Sequence, residues 1–176
     1  MQTSPVKPKS DFRAKGRRIS NISDLTQPGT YILLVDVHNQ VQVNVGSLGK
    51  QAFCQGLYAY TGSALGLYST SLSRRLSRHL RADKKKHWHI DYLLSHPKVT
   101  INGIVAILTE QKLECKVNRF IERVMMGAIP VLGFGSSDCR DCESHLLLLR
   151  DETDTGTLVT RLEKFVPDAI VSEVAF

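Results

Sequence analysis

Arg75 and His79 stand four residues apart in a segment where Leu72, Leu76 and Leu80 also recur every fourth residue. That apolar spacing predicts a helix with the leucines on one face. At about 100° per residue, with Leu76 central on the buried face, Arg74, Arg78 and Arg81 point to solvent. Arg75 and His79 fall together on the border of the apolar stripe. A guanidinium on that border can enter a cleft and hold a phosphate through a bidentate fork. The blander reading is an arginine lying over its helix neighbour.

A carboxylate occupies a similar border on a later helix. Leu113, Val117, Phe120, Ile121 and Val124 predict its buried face, and Glu114 lies at the edge of that face while Glu122 points to solvent. An edge carboxylate can reach a divalent metal, because magnesium needs few protein oxygens and keeps its waters. It can equally do no more than charge the first helical turn favourably. Three tyrosines gather upstream: Tyr31, Tyr58 and Tyr60. A phenol is ordinarily a core or edge residue. It becomes a base or a water-positioning group only beside a cation or metal that lowers its pKa.

Soft ligands form another constellation. Cys139, Cys142 and His145 place three metal-type ligands within seven residues. Zinc would need a fourth from Cys54, Cys115 or a distant histidine. The alternative is two ordinary thiols in a tight turn, with His145 starting a strand. The loop GFGSSDC, residues 133–139, could offer backbone N–H groups to a phosphate. Trp88, between His87 and His89, could stack on an unpaired base, although a lone tryptophan in a small domain belongs more often to the core.

The elements that must position these groups follow from periodicity. TYILLVDV (residues 30–37), VQVNV (41–45) and GLYAYTG (56–62) predict three strands with short connections, an antiparallel meander. Helical spacing begins near Ser71, with Ser71 or Thr70 as N-cap. A second helix is expected from Trp88 to His96, stopped by Pro97. KVTINGIVAIL (98–108) predicts a fourth strand, HLLLL (145–149) a buried one, and residues 156–165 a last helix. Strands and helices mix without strict βαβ alternation, so the expected class is α+β with a mixed or antiparallel sheet.

The chain has 176 residues, 42% apolar and 23% charged. That suits one domain with a proper core. No apolar run approaches the roughly 18 residues of a membrane-spanning helix. The basic N-terminus lacks the apolar stretch of a secretory signal. Four cysteines outside a small secreted scaffold point to a reducing compartment, expected to be the cytoplasm. Residues 1–20 hold six basic residues against Asp11, and residues 70–90 hold seven against Asp83. Residues 141–176 hold eight acids against three basic residues. Such segregation suits a polyanion partner. Arg74, Arg78, Arg81, Lys84, Lys85 and Lys86 are the expected nucleic-acid contacts. Residues 1–21 read as a disordered basic arm and residues 22–176 as one domain.

Gly29-Thr30-Tyr31 and Tyr60-Thr61-Gly62 resemble the paired tripeptides of the GIY-YIG nuclease superfamily, with threonine for isoleucine in each. RLSRHL (residues 75–80) resembles that family's helix, with Arg75 at the arginine position and His79 where one branch has tyrosine. Glu114 is the best match for the family's glutamate. GSALG, RRLSRHLR, KKKHWHIDYLL and GFGSSDC are similar to a branch of short stand-alone proteins, and the resemblance covers roughly residues 27–150.

The resemblance implies a small α+β domain with a central three-stranded antiparallel sheet flanked by helices, plus C-terminal strand and helix elements. It implies hydrolysis of DNA phosphodiester bonds, structure-specific or repair-related, with one Mg2+ or Mn2+ at Glu114. Arg75 would stabilise transition-state charge. Tyr31 or Tyr60 would activate or orient water, with His79 as a rival base. RNA stays open as a substrate. A nucleic-acid-binding module of the same fold without catalysis is the alternative, and an adaptor with an acidic C-terminal surface is a third reading.

Overall fold

The structure is a computed structural model, describing residues 17–66, 70–150 and 153–176. The strands are β1 (Arg17–Ile19), β2 (Gly29–Val37), β3 (Val41–Asn44), β4 (Lys50–Phe53), β5 (Gly56–Ala64), β6 (Val99–Leu108), β7 (Leu146–Leu148) and β8 (Ile170–Val174). The helices are α1 (Leu72–Leu80), α2 (His89–Leu94), α3 (Glu114–Val124) and α4 (Thr155–Phe165). The class is α+β.

The main sheet has six strands in the order β1-β8-β6-β2-β5-β7, not the three expected. It is mixed: β1 runs parallel to β8 and the other pairings are antiparallel. At its centre, β2 pairs with β6 on one side and β5 on the other. The expected meander is corrected here. β3 and β4 leave the sheet as a separate two-stranded hairpin, and β5 returns to pair directly with β2. The alternation of VQVNV marked a half-buried strand but carried no information about its partner.

Burial of β2 is nearly continuous because both faces are covered. Its residues divide by parity between two cores. Tyr31, Leu33, Val35 and Val37 pack with Leu72 and Leu76 of α1 and Ile90 and Leu93 of α2. Ile32 and Leu34 pack with Val117, Phe120 and Ile121 of α3 and Leu158 and Leu162 of α4. Helices therefore lie on both faces, and the first residues of α1 and α3 meet the sheet near one end of β5.

Three strands escaped the sequence analysis: β1, β4 and β8. β8 is IVSEV, whose burial alternates poorly because Val171 packs into one core and Val174 into the other. β1 is only RRI, inside the stretch expected to be a disordered arm. Arg17–Ile19 are ordered against β8, so that expectation fails for them. Ser20 and Asn21 are also described, Asn21 accepting from Ser23 N–H, while residues 1–16 of the expected arm lie outside the described residues. No helix among the described residues is long and apolar enough to cross a membrane.

Candidate functional site

The two tripeptides lie side by side. Tyr31 on β2 pairs with Gly62 on β5, and Leu33 pairs with Tyr60. A Cβ on residue 62 would stand 2.4 Å from the Tyr31 hydroxyl, so the phenol occupies the space a side chain would take. That close approach requires glycine.

Tyr31 is buried, and its hydroxyl meets Nε2 of His79 on α1 at 2.8 Å. Burial, reinforced by Tyr60, raises the Tyr31 phenol well above its usual value, against the pull of Arg75. The neutral phenol therefore donates and Nε2 accepts. Burial lowers His79 to about 3, although Asp91 pulls the other way. A neutral imidazole accepting at Nε2 carries its proton on Nδ1. That atom faces Asp91 Oδ1 at 3.9 Å, beyond hydrogen-bond length. His79 was expected at a helix border and is instead only 2% exposed. Tyr60 is also buried, with its ring 6.3 Å from that of His79.

Asp91 explains why α1 and α2 dock as they do. Its buried carboxylate accepts two bonds from the Arg78 guanidinium at 3.0 Å each, and bonds from the His87 and Trp88 N–H groups at 2.9 Å. Burial opposes its ionisation, but the Arg78 fork and the two N–H groups hold it below the usual carboxylate range. Arg78 thus corrects an expectation: it is partly buried in an ion pair, not free in solvent for a phosphate. Lys84 is engaged as well, donating to the His79 carbonyl at 2.5 Å. Arg74, Arg81, Lys85 and Lys86 are exposed. Trp88 neither fills the core nor stands free. It is half-buried, with the Arg75 and Arg78 guanidiniums 4.7 and 4.2 Å from its ring centre.

Ser63 joins α1 to α3. β7 ends opposite Tyr60, so the outer edge of β5 is open beyond it. There Thr61 N–H donates to His145 O at 2.9 Å, and Ser63 O accepts from Arg75 Nη1 at 2.9 Å. The Ser63 hydroxyl donates to Glu114 Oε2 at 2.6 Å. The other carboxylate oxygen, Oε1, lies 3.2 Å from His145 Nδ1. Burial would raise the Glu114 pKa, but His145 and Ser63 lower it, so the group is ionised. Tyr31, Tyr60, Arg75, His79 and Glu114 are thereby gathered at one end of β2 and β5.

Beside Glu114 sits a second cluster. Cys115, Cys139, Cys142 and His145 each bring one ligand atom within 4.8 Å of all the others, an arrangement that could hold a metal. Cys115 supplies the fourth group that the sequence left open between three candidates, whereas Cys54 is exposed and outside the cluster. Asn118 anchors this region, donating from Nδ2 to Ser144 O at 2.8 Å.

The loop expected to cradle phosphate is turned inward. Gly133 N–H donates to Glu143 O, Gly135 N–H to His89 Nδ1 and Ser136 N–H to Gly133 O. Phe134 is buried against Phe53 and Tyr60. A cleft does open on Glu114; Lys112, Lys116, Arg119 and Arg140 line it together with Asp138 and Asp141, and sequence reasoning missed these basic residues. It also missed Ser63, Asp91 and Asn118. Only Asp91 had a legible signal: a carboxylate three residues after a helix start that can take the first free N–H groups.

A family model described as a domain of unknown function, DUF123, matches residues 30–166. No curated protein and no solved structure matches the chain.

Proposed function

This chain belongs to the DUF123 family, and we propose that it is a GIY-YIG-type endonuclease hydrolysing DNA phosphodiester bonds with one divalent ion at Glu114. The observation that carries the reading is the bridge at Ser63. One residue ties a guanidinium and an ionised carboxylate together, directly beside a buried tyrosine–histidine pair.

Glu114 suits a hard divalent ion. It is ionised, its side chain is 16% exposed, and it opens on a cleft lined by four basic residues and by Asp138 and Asp141. Magnesium or manganese, when bound, would polarise the phosphate and stabilise the leaving oxygen. The rest falls to side chains. Arg75, fixed by Ser63 O and by Trp88, offers its remaining N–H groups to a phosphate oxygen as charge builds there. Tyr31, its hydroxyl anchored on His79 Nε2, would orient the attacking water, with Tyr60 beside it. Lys112, Lys116, Arg119 and Arg140 line the path next to Glu114, and Arg74 and Arg81 are exposed on α1 and at its end. Together they suit the backbone of a nucleic acid.

The test is cleavage of labelled single-stranded, duplex, flap and junction DNAs with magnesium or manganese. Wild-type cleavage that Glu114→Ala and Arg75→Ala both abolish supports the reading. Tight, salt-sensitive binding without cleavage would replace it with the non-catalytic binding module.

A further inference from the structure

Three thiols and an imidazole converge beside Glu114, and none has a part in the phosphoryl chemistry above. Cys115 comes from the first turn of α3, Cys139 and Cys142 from the loop before β7, and His145 from the residue preceding that strand. We propose that Cys115, Cys139, Cys142 and His145 hold a structural zinc ion in a closed tetrahedral site.

The donor set is the first argument. Thiolates with one imidazole suit zinc, whereas magnesium and manganese prefer oxygen. Glu114 and the cluster therefore do not compete for one ion. Size is the second. Thiolates at about 2.3 Å and an imidazole nitrogen at about 2.0 Å from a shared ion put the donors nearly 4 Å apart. The four donors already lie within 4.8 Å of one another, and Cys115 Sγ and Cys139 Sγ are 3.3 Å apart as free thiols.

The third argument is His145. It is 3% exposed, and neither ring nitrogen is aligned for a hydrogen bond. A buried ring nitrogen without a partner is costly unless a ligand occupies it. Its Nδ1 faces Glu114 at 3.2 Å, which leaves Nε2 for the ion. Metal-bound histidines commonly present their other ring nitrogen to a carboxylate. The fourth is the turn after Cys139, where Asp141 N–H donates to Cys139 Sγ at 3.4 Å, an outer-shell bond that supports a coordinated thiolate.

The zinc would fasten α3 to a loop 24 residues further on and hold His145 in place. Through His145 it would steady the Glu114 carboxylate, so His145 is a positioning residue. The site stands whether or not the chain cuts DNA.

The full chain, produced with zinc in the medium and desalted, should carry about one zinc per molecule by elemental mass spectrometry. Cys54→Ser should keep the metal, and the Cys139→Ser, Cys142→Ser double variant should lose it. Cobalt added to chelator-treated wild-type protein should give the intense visible bands of a tetrahedral thiolate site. His145→Cys should bind cobalt with an altered spectrum, which keeps the test decisive if the double variant fails to fold. Metal-free protein with four freely titrating thiols would overturn the assignment. So would a Cys115–Cys139 disulfide in protein isolated without oxidant, or zinc retained by the double variant.

Discussion

The Tyr31 hydroxyl donates to Nε2 of His79 across 2.8 Å, in a pocket where both residues are buried and neutral. Strand β2 and helix α1 meet at this bond, and the direction of the proton follows from the two displaced pKa values.

Tyr31→Phe removes the hydroxyl but keeps the ring. Cleavage should fall by about 10²-fold, the cost of misplacing the attacking water. DNA affinity should be unchanged. His79 Nε2 loses its donor, which should lower stability by about 1–3 kcal/mol. Single-turnover rates, binding titrations and urea unfolding separate the three effects.

Gly62→Ala should reproduce the catalytic loss by a different route. Its methyl would collide with the Tyr31 hydroxyl, and the phenol must move. Overpacking of this kind costs about 1–3 kcal/mol. A Gly62→Ala protein that cleaves at the wild-type rate would show that Tyr31 has no fixed place in the reaction.

Ser63→Ala deletes one of the two contacts that hold the Glu114 carboxylate. The magnesium concentration for half-maximal cleavage should rise about 10- to 100-fold, as for outer-shell groups at metal sites. The saturated rate should change less. A magnesium titration of wild type and variant reads both quantities.

Burial also sets a pH dependence of stability. His79 has a folded pKa of about 3, below its ordinary 6.5. Between these values the unfolded chain binds the proton and the folded chain does not. Stability is therefore full above about pH 6.5 and falls as pH drops toward 3. Melting temperatures from pH 7.5 down to 5 should decline in wild type. The decline should be shallower in His79→Gln, whose side chain does not titrate.

The arginines of α1 should divide into two kinds. Arg78→Ala leaves the buried Asp91 carboxylate without its fork and should cost about 3 kcal/mol. Arg74→Ala and Arg81→Ala should leave stability unchanged while each lowers the salt slope of DNA binding by about one. Thermal melts run beside salt titrations of affinity would show the division.

Much of this arrangement was legible in residue order. Apolar runs placed β2, β5, β6 and β7, period-two alternation placed β3, and helical spacing placed α1 and α3, because each pattern records which faces must be buried. The border positions of Arg75 and Glu114 followed from the same geometry. The pairing of residues 29–31 with residues 62–64 did not. Register depends on contacts between distant segments, and the excursion of β3 and β4 carries no local mark of where the chain returns.

Amino-acid types and local spacing by themselves determined the class of chemistry available: a guanidinium, a carboxylate, phenols, an imidazole and soft thiols, on helix borders and strand faces. Tertiary structure decided which of these act together. It buried His79, took Arg78 out of solvent to neutralise Asp91, and turned Phe134 and Ser136 of the 133–139 loop inward. It also chose Cys115 as the fourth member of the thiol–imidazole cluster. Each of these outcomes turns on burial and on partners far away in sequence. Desolvation and hydrogen bonding, which fix a group's charge, depend on what surrounds it in space and not on its neighbours along the chain.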